Sequence, residues 1–188
     1  MNIDEIIKNR RATPPRFLSK KAIPKETIQQ ILENANWAPN HKKTEPWRFK
    51  VYTGASKQNL SDEINQLLSR EIESGAEINP QKVDKLKSIL ERVPVVIAII
   101  MERDVAERLP EWEEIAAVAM AVQNMWLTAT AMDLGAFWAT PKFMPFLGET
   151  LELKSRQKAL GFFYLGEIAM DYPSPGRGDI AAKIEWRE

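Results

Sequence analysis

Three short stretches of this chain hold side chains able to do chemistry on a ligand. The first is Asn9-Arg10-Arg11, with Arg16 just beyond Pro14-Pro15. Guanidiniums from one short loop can fork onto a phosphate through planar, bidentate donors, although an arginine at a helix C-terminus is also favoured by the helix dipole alone. The second runs from Asn36 to Trp47 and packs Trp37, Pro39, Asn40, the lone histidine His41, Lys42, Lys43, Pro46 and Trp47 into one loop. Flat apolar surface beside fixed donors suits a planar heteroaromatic ligand, but His41 can equally cap a helix, and either indole can anchor the loop to the core. The third is Leu134-Gly135-Ala136-Phe137-Trp138-Ala139-Thr140-Pro141. There a turn can bring backbone N–H groups and the Thr140 hydroxyl to a ligand edge.

Composition removes many alternatives. With no cysteine, the chain has no disulfide, no thiolate nucleophile and no iron–sulfur or cysteine-zinc ligation. One histidine rules out a two-histidine metal centre, and no metal site is expected. No G-x-G-x-x-G or G-K-[ST] loop occurs, so any nucleotide phosphate must be held by side chains. The 26 basic and 26 acidic residues cancel, which takes away the electrostatic argument for a nucleic-acid or membrane-surface partner. Residues 1–11 lack an apolar core for a signal segment, Val93–Met101 is too short to span a bilayer, and polar residues interrupt Ile115–Leu134. A cytoplasmic protein is expected.

At 188 residues the chain reads as a single domain over 1–188. The elements that must position the three stretches follow from periodicity and punctuation. Helices are expected at Ile3–Lys8, from Pro24 to Asn36, near Ser56–Ser74, at Pro80–Arg92 and over Glu111–Leu134. Strands are expected at Trp47–Thr53, Val95–Met101, Ala136–Ala139 after a helix-stopping Gly135, and Gly161–Gly166. A helical turn is expected around Gly148–Leu153 and an irregular tail over Tyr172–Gly178. Helices interleaved with strands give an α+β or α/β layered domain. The alanine-rich Glu111–Leu134 helix suits a core position, a helix–helix dimer seam, or both on different faces.

Taken in order, Asn9-Arg10-Arg11, the run from Ala35 through Trp37-Ala38-Pro39-Asn40-His41 to Thr44-Glu45-Pro46-Trp47-Arg48-Phe49, Leu134-Gly135-Ala136-Phe137-Trp138 and Gly161–Gly166 resemble the short members of the flavin-dependent nitroreductase family over nearly the whole chain. The resemblance implies an α+β, three-layer fold with a central mixed, mainly antiparallel sheet flanked by helices. It also implies FMN as cofactor, NADH or NADPH as electron donor, and an intertwined homodimer with its flavin sites at the subunit interface. By position, Arg10, Arg11 and the Ala12 backbone would hold the FMN phosphate. Trp37, Pro39, Asn40 and His41 would border the flavin from the other subunit, and Trp138, Ala139 and Thr140 from the first. Arg177 falls where the family often has a basic residue reaching phosphate, and His41 is the candidate proton donor. Three features depart from the pattern: Ala12 stands where a serine is usual, Pro14-Pro15 alters the spacing to Arg16, and the tail has one arginine where a pair is common.

The implied activity passes electrons from NAD(P)H to nitroaromatic, quinone or similar flat acceptors, chemistry in which the cofactor supplies the reactive atom. The alternatives are a flavin-binding protein with little turnover, such as a carrier or sensor, and a flavin-free interaction module.

Overall fold

The computed structural model describes residues 1–171 and 176–187. Tyr172–Pro175 of the expected irregular tail therefore lies outside the described residues.

The element order is α1 (Ile3–Asn9), α2 (Lys25–Ala35), β1 (Trp47–Thr53), α3 (Gly54–Glu73), α4 (Pro80–Arg92), β2 (Val95–Glu102), α5 (Glu111–Ala131), β3 (Leu134–Ala139) and β4 (Gln157–Glu167), with short 3₁₀ turns between. The four strands form one sheet in the order β1-β2-β4-β3, every neighbouring pair antiparallel. Its only parallel component among the described residues is a single bridge between Ala12 and Ala136.

β2 explains the layering. All of Val95–Met101 is buried, so both faces of this central strand are covered. Val95, Ile97, Ile99 and Met101 point into one cluster with residues of α2 and α5. Val96, Ala98 and Ile100 point into a second cluster with α3, α4 and the turn at Met144–Gly148. The result is the expected three-layer α+β arrangement. β1 and β3 are its edges, and β3 is the edge that carries the third sequence stretch.

α5 is a core helix along Glu114, Ala117, Val118, Ala121, Val122, Met125 and Ala129. Trp112, Met120 and Gln123 lie on another face and are exposed. α1 has a complete capping box between Asn2 and Glu5 but buries no residue at all, leaving Ile3 and Ile7 exposed.

Besides shifts of one or two residues elsewhere, the structure departs from the sequence expectation at the end of α5, the start of β4 and the turn between β3 and β4. α5 stops at Ala131, because Asp133 takes the left-handed conformation (φ 57°) that ends a helix. Gly135 therefore lies inside β3, where a Cβ would come within 2.7 Å of the Leu18 side chain. β4 begins at Gln157, earlier than Gly161, since Gln157–Ala159 pair with the end of β2 through a register shift at Ile99/Ile100. The turn expected at Gly148–Leu153 forms at Met144–Gly148 instead, with Pro145 in its first turn.

Candidate active site

The loop after α1 is laid against the open edge of β3. The Thr13 N–H donates to the Ala136 carbonyl at 2.8 Å beside the Ala12–Ala136 bridge. Ala136 therefore turns its backbone groups away from β4, and strand alternation puts the N–H and carbonyl of Trp138 on that same edge. Ala139 alternates the other way, its carbonyl lying against Gly161. Thr140 follows the strand end and is exposed. The first and third stretches thus come together.

Within the loop the arginines diverge. Arg10 lies over the Trp126 ring at 5.0 Å, and the Trp126 indole N–H donates to the Arg11 carbonyl at 3.1 Å. Arg11 borders a hollow of about 290 Å³ with Thr13, Thr130 and Asp133, and its guanidinium is 4.0 Å from Asp171. Arg16 does not join them; its guanidinium covers the Phe17 ring at 4.8 Å. Arg177 is exposed and donates to the Gly176 carbonyl at 3.4 Å, and among the described residues no hydrogen bond or ion pair links it to Arg10 or Arg11.

The indole of Trp138 is committed to the fold, donating to the Leu160 carbonyl at 3.1 Å. What Trp138 offers a ligand is mainly backbone, while Ala139 turns its carbonyl to β4.

The second stretch divides by role. Trp47 is 6% exposed and its indole donates to Asn36 Oδ1 at 3.0 Å, so it anchors the loop. Trp37 is 81% exposed and presents a bare indole. Pro39 is exposed beside it, and Asn40 is half-buried, accepting from the Glu45 N–H at 3.1 Å. Lys42, Lys43 and Glu45 all have positive φ, a concentration of left-handed non-glycine residues typical of functional loops. His41 pairs through Nδ1 with Glu113 Oε2 at 2.8 Å, and Lys42 donates to the Arg108 carbonyl at 3.3 Å. Both contacts tie this stretch to the start of α5.

Arg10 meets α5 at Trp126, whereas His41 meets it at Glu113. Those positions are thirteen residues apart on one helix, about 20 Å at 1.5 Å per residue. One chain therefore keeps its own His41 far from its own Arg10, whereas Trp37 follows Asn34, which bonds Thr128 and Asn124 near the Trp126 turn of α5.

The start of α5 is held by a group the sequence reading missed. Glu114 is buried, accepting from Arg103 Nη1 and from the Asp104 N–H at 2.8 Å, while Arg103 also donates to the Leu109 carbonyl at 3.1 Å. Beside it the Arg108 guanidinium holds the Asp104 carboxyl down at about 2. A buried glutamate in a helical run of alanines carries no sequence signal for such a clamp.

A cleft of about 750 Å³ opens between α4, the end of β3 and the Met144–Gly148 turn. It was not legible either, since Lys82 and Lys85 look like an ordinary solvated helix face.

Guanidiniums at one end of an open sheet edge, backbone donors along it and an aromatic-walled cleft at the other end define an α+β protein whose donor set suits a flat ligand with an anionic end. The chain belongs to the nitroreductase family, whose family model matches residues 7–167. It is 28% identical over 168 residues, 88% of each chain, to YdjA of Escherichia coli strain K12, which carries the provisional name of an NAD(P)H nitroreductase. Among solved structures, a nitroreductase-like protein of Bacillus cereus matches with a TM-score of 0.84 and 28% identity, covering 100% of this chain and 97% of that one. The FMN-dependent nitroreductase NfnB of Mycobacterium smegmatis, solved in complex with NADPH, matches with a TM-score of 0.75 at 17% identity, over 98% of this chain and 97% of that one.

Proposed function

We propose that this protein is an FMN-dependent oxidoreductase that takes electrons from NADH or NADPH and passes them to nitroaromatic, quinone or similar flat acceptors. We further propose that it works as a cytoplasmic homodimer of single-domain chains. The observation that carries the reading is the Arg10–Thr13 segment lying along the open edge of β3.

The donor set fits FMN: cations for a phosphate, an unpaired strand edge for the polar rim of a ring system, and exposed indole for its face. When bound, the flavin supplies reversible hydride uptake and release. In this reading Arg10 and Arg11 grip the phosphate with the Ala12 backbone, and Arg177 adds charge from the tail. The Trp138 backbone and Thr140 orient the ring, with Ala139 between them holding the strand end against β4. The partner subunit's Trp37, Pro39, Asn40 and His41 cover it and exclude water, and His41, held through Nδ1 by Glu113, keeps Nε2 for a proton.

A two-fold axis near the middle of α5 makes this arrangement. It would pair the exposed Met120 face of α5 with its copy, cover the unburied α1, and carry the Glu113 end of one helix to the Trp126 end of the other. Relatives support the chemistry: YdjA is named for NAD(P)H, and NfnB is described as FMN-dependent and bound to NADPH.

The test is FMN titration of a variant carrying Arg10→Ala and Arg11→Ala. Each lost charged hydrogen bond costs ~1.5–3 kcal/mol, so affinity should fall by one or more orders of magnitude. Unchanged affinity in a folded variant rejects the phosphate assignment.

A further inference from the structure

The cleft beside the end of β3 has more built into it than a flavin edge requires. Its inner wall is aromatic, formed by Phe137 on β3, Tyr164 opposite it on β4, and Phe146. Lys82, Lys85 and Lys142 also line it against a single acid, Glu77. Lys82 and Lys85, three residues apart, share a face of α4. Among the described residues none of these three lysines forms an ion pair or side-chain hydrogen bond, so all three ammonium groups are available to a ligand in the cleft. In a chain with no net charge, this is a local cationic excess facing a hydrophobic wall.

Tyr164 adds a second, independent feature. It is 1% exposed, it lines the cleft, and its hydroxyl has no hydrogen-bond partner among the described residues. The hydroxyl is not sealed off without a partner, as Ser61 Oγ is, but opens onto the cleft, where an acceptor on a ligand can take the place of water. Burial raises its pKa well above the ordinary tyrosine value, so it remains a neutral donor.

We propose that this cleft binds flat aromatic acceptors carrying an anionic group, a carboxylate or sulfonate, with the ring against Phe137 and Phe146, the anion among Lys82, Lys85 and Lys142, and a polar ring substituent accepting from the Tyr164 hydroxyl. A volume of about 750 Å³ lies within the range of small-molecule sites and holds one such molecule with room for solvent. The inference rests on the oxidoreductase reading only in calling the bound molecule an acceptor; binding itself does not.

The experiment compares 4-nitrobenzoate with its neutral isostere 4-nitrobenzamide by calorimetric titration of the flavin-loaded protein without a nicotinamide. Wild type should favour the benzoate by about tenfold, three exposed charges each contributing a small factor, and the preference should shrink at high salt. Replacing the three lysines together (K82Q, K85Q and K142Q) should abolish the preference and leave FMN affinity unchanged. Y164F should weaken both ligands by a similar factor and keep the preference. Equal wild-type affinities, or a preference that survives in the lysine variant, would overturn the proposal. So would an FMN affinity that falls as far as benzoate binding does, which would give the lysines to the cofactor. A lysine variant that loses discrimination between NADPH and NADH but still favours the benzoate would give them to the donor's phosphate, with the same consequence. Tight, lysine-dependent benzoate binding without reduction on adding NAD(P)H would sink the oxidoreductase reading and leave the site standing. Rapid reduction without lysine-dependent binding would do the reverse.

Discussion

Gly161→Ala is the sharpest test of how β3 and β4 are joined at the candidate site. Gly161 has φ 135°, in a region that L residues rarely adopt, so an alanine there is strained before any contact is considered, at a cost of about 1–3 kcal/mol. Its Cβ would stand 2.3 Å from the Ala139 carbonyl oxygen and 2.6 Å from the Trp138 indole nitrogen. The first neighbour is backbone of the adjacent strand and cannot swing aside. The second is engaged in the Trp138–Leu160 hydrogen bond at 3.1 Å, whose loss costs about 1 kcal/mol. Together these give a destabilisation of about 3 kcal/mol, which in a domain this size lowers Tm by roughly 6–12 °C. Because the strain is relieved by moving Trp138 and Ala139 off β4, FMN affinity should fall as well, although Gly161 is not among the proposed cofactor contacts. Urea denaturation measured with FMN titration checks both. Gly148→Ala serves as the control, since nothing lies within 4 Å of a Cβ there and φ is ordinary, so it should be neutral or slightly stabilising. A Gly161→Ala protein within about 1 kcal/mol of wild type, with unchanged FMN affinity, would refute the strand-end geometry on which the site depends.

Glu114→Gln should cost about 3 kcal/mol in urea unfolding, because Arg103 loses its buried counter-charge and keeps only the exposed Glu107 at 4.0 Å; a loss below about 1 kcal/mol would show that the clamp is not what holds the start of α5. Asp104 titrates lower when folded than the ordinary ~3.9, so its pairing with Arg108 stabilises above that value and is lost as pH falls towards about 2. Asp104→Asn should therefore flatten stability over that interval, and parallel curves for the two proteins would count against the pairing. Sedimentation should give a dimer in the flavin-loaded protein, and a loaded monomer would contradict a site shared between chains.

The elements legible in the sequence were those with a strong period or an unambiguous stop. β1 and α4 have the boundaries expected, because alternation in Trp47–Thr53 and the Asn79-Pro80 start leave little choice. The end of α5 was misjudged because glycine is the usual helix stop, yet Asp133 adopts the left-handed turn and Gly135 is needed for close packing against Leu18. The extra length of β4 comes from Gln157 and Lys158, polar residues that only pairing with β2 makes into strand. At the site, the arginine segment and the strand end were recognisable as sequence. Their meeting was not, since it depends on β3 being an edge strand. The division of labour between Trp47 and Trp37 was equally hidden: identical side chains ten residues apart differ only in what the fold places over them.

The separation of His41 and Arg10 along α5 has a genetic corollary. In the proposed dimer each cofactor would draw its arginines from one subunit and its covering indole from the other. A chain altered at Arg10 and a chain altered at Trp37 would each be defective alone. Mixed in one cell at equal levels and pairing at random, about half of the two-fold assemblies would be hybrids, each carrying one doubly damaged centre and one wholly intact. Two broken alleles would then partly rescue each other.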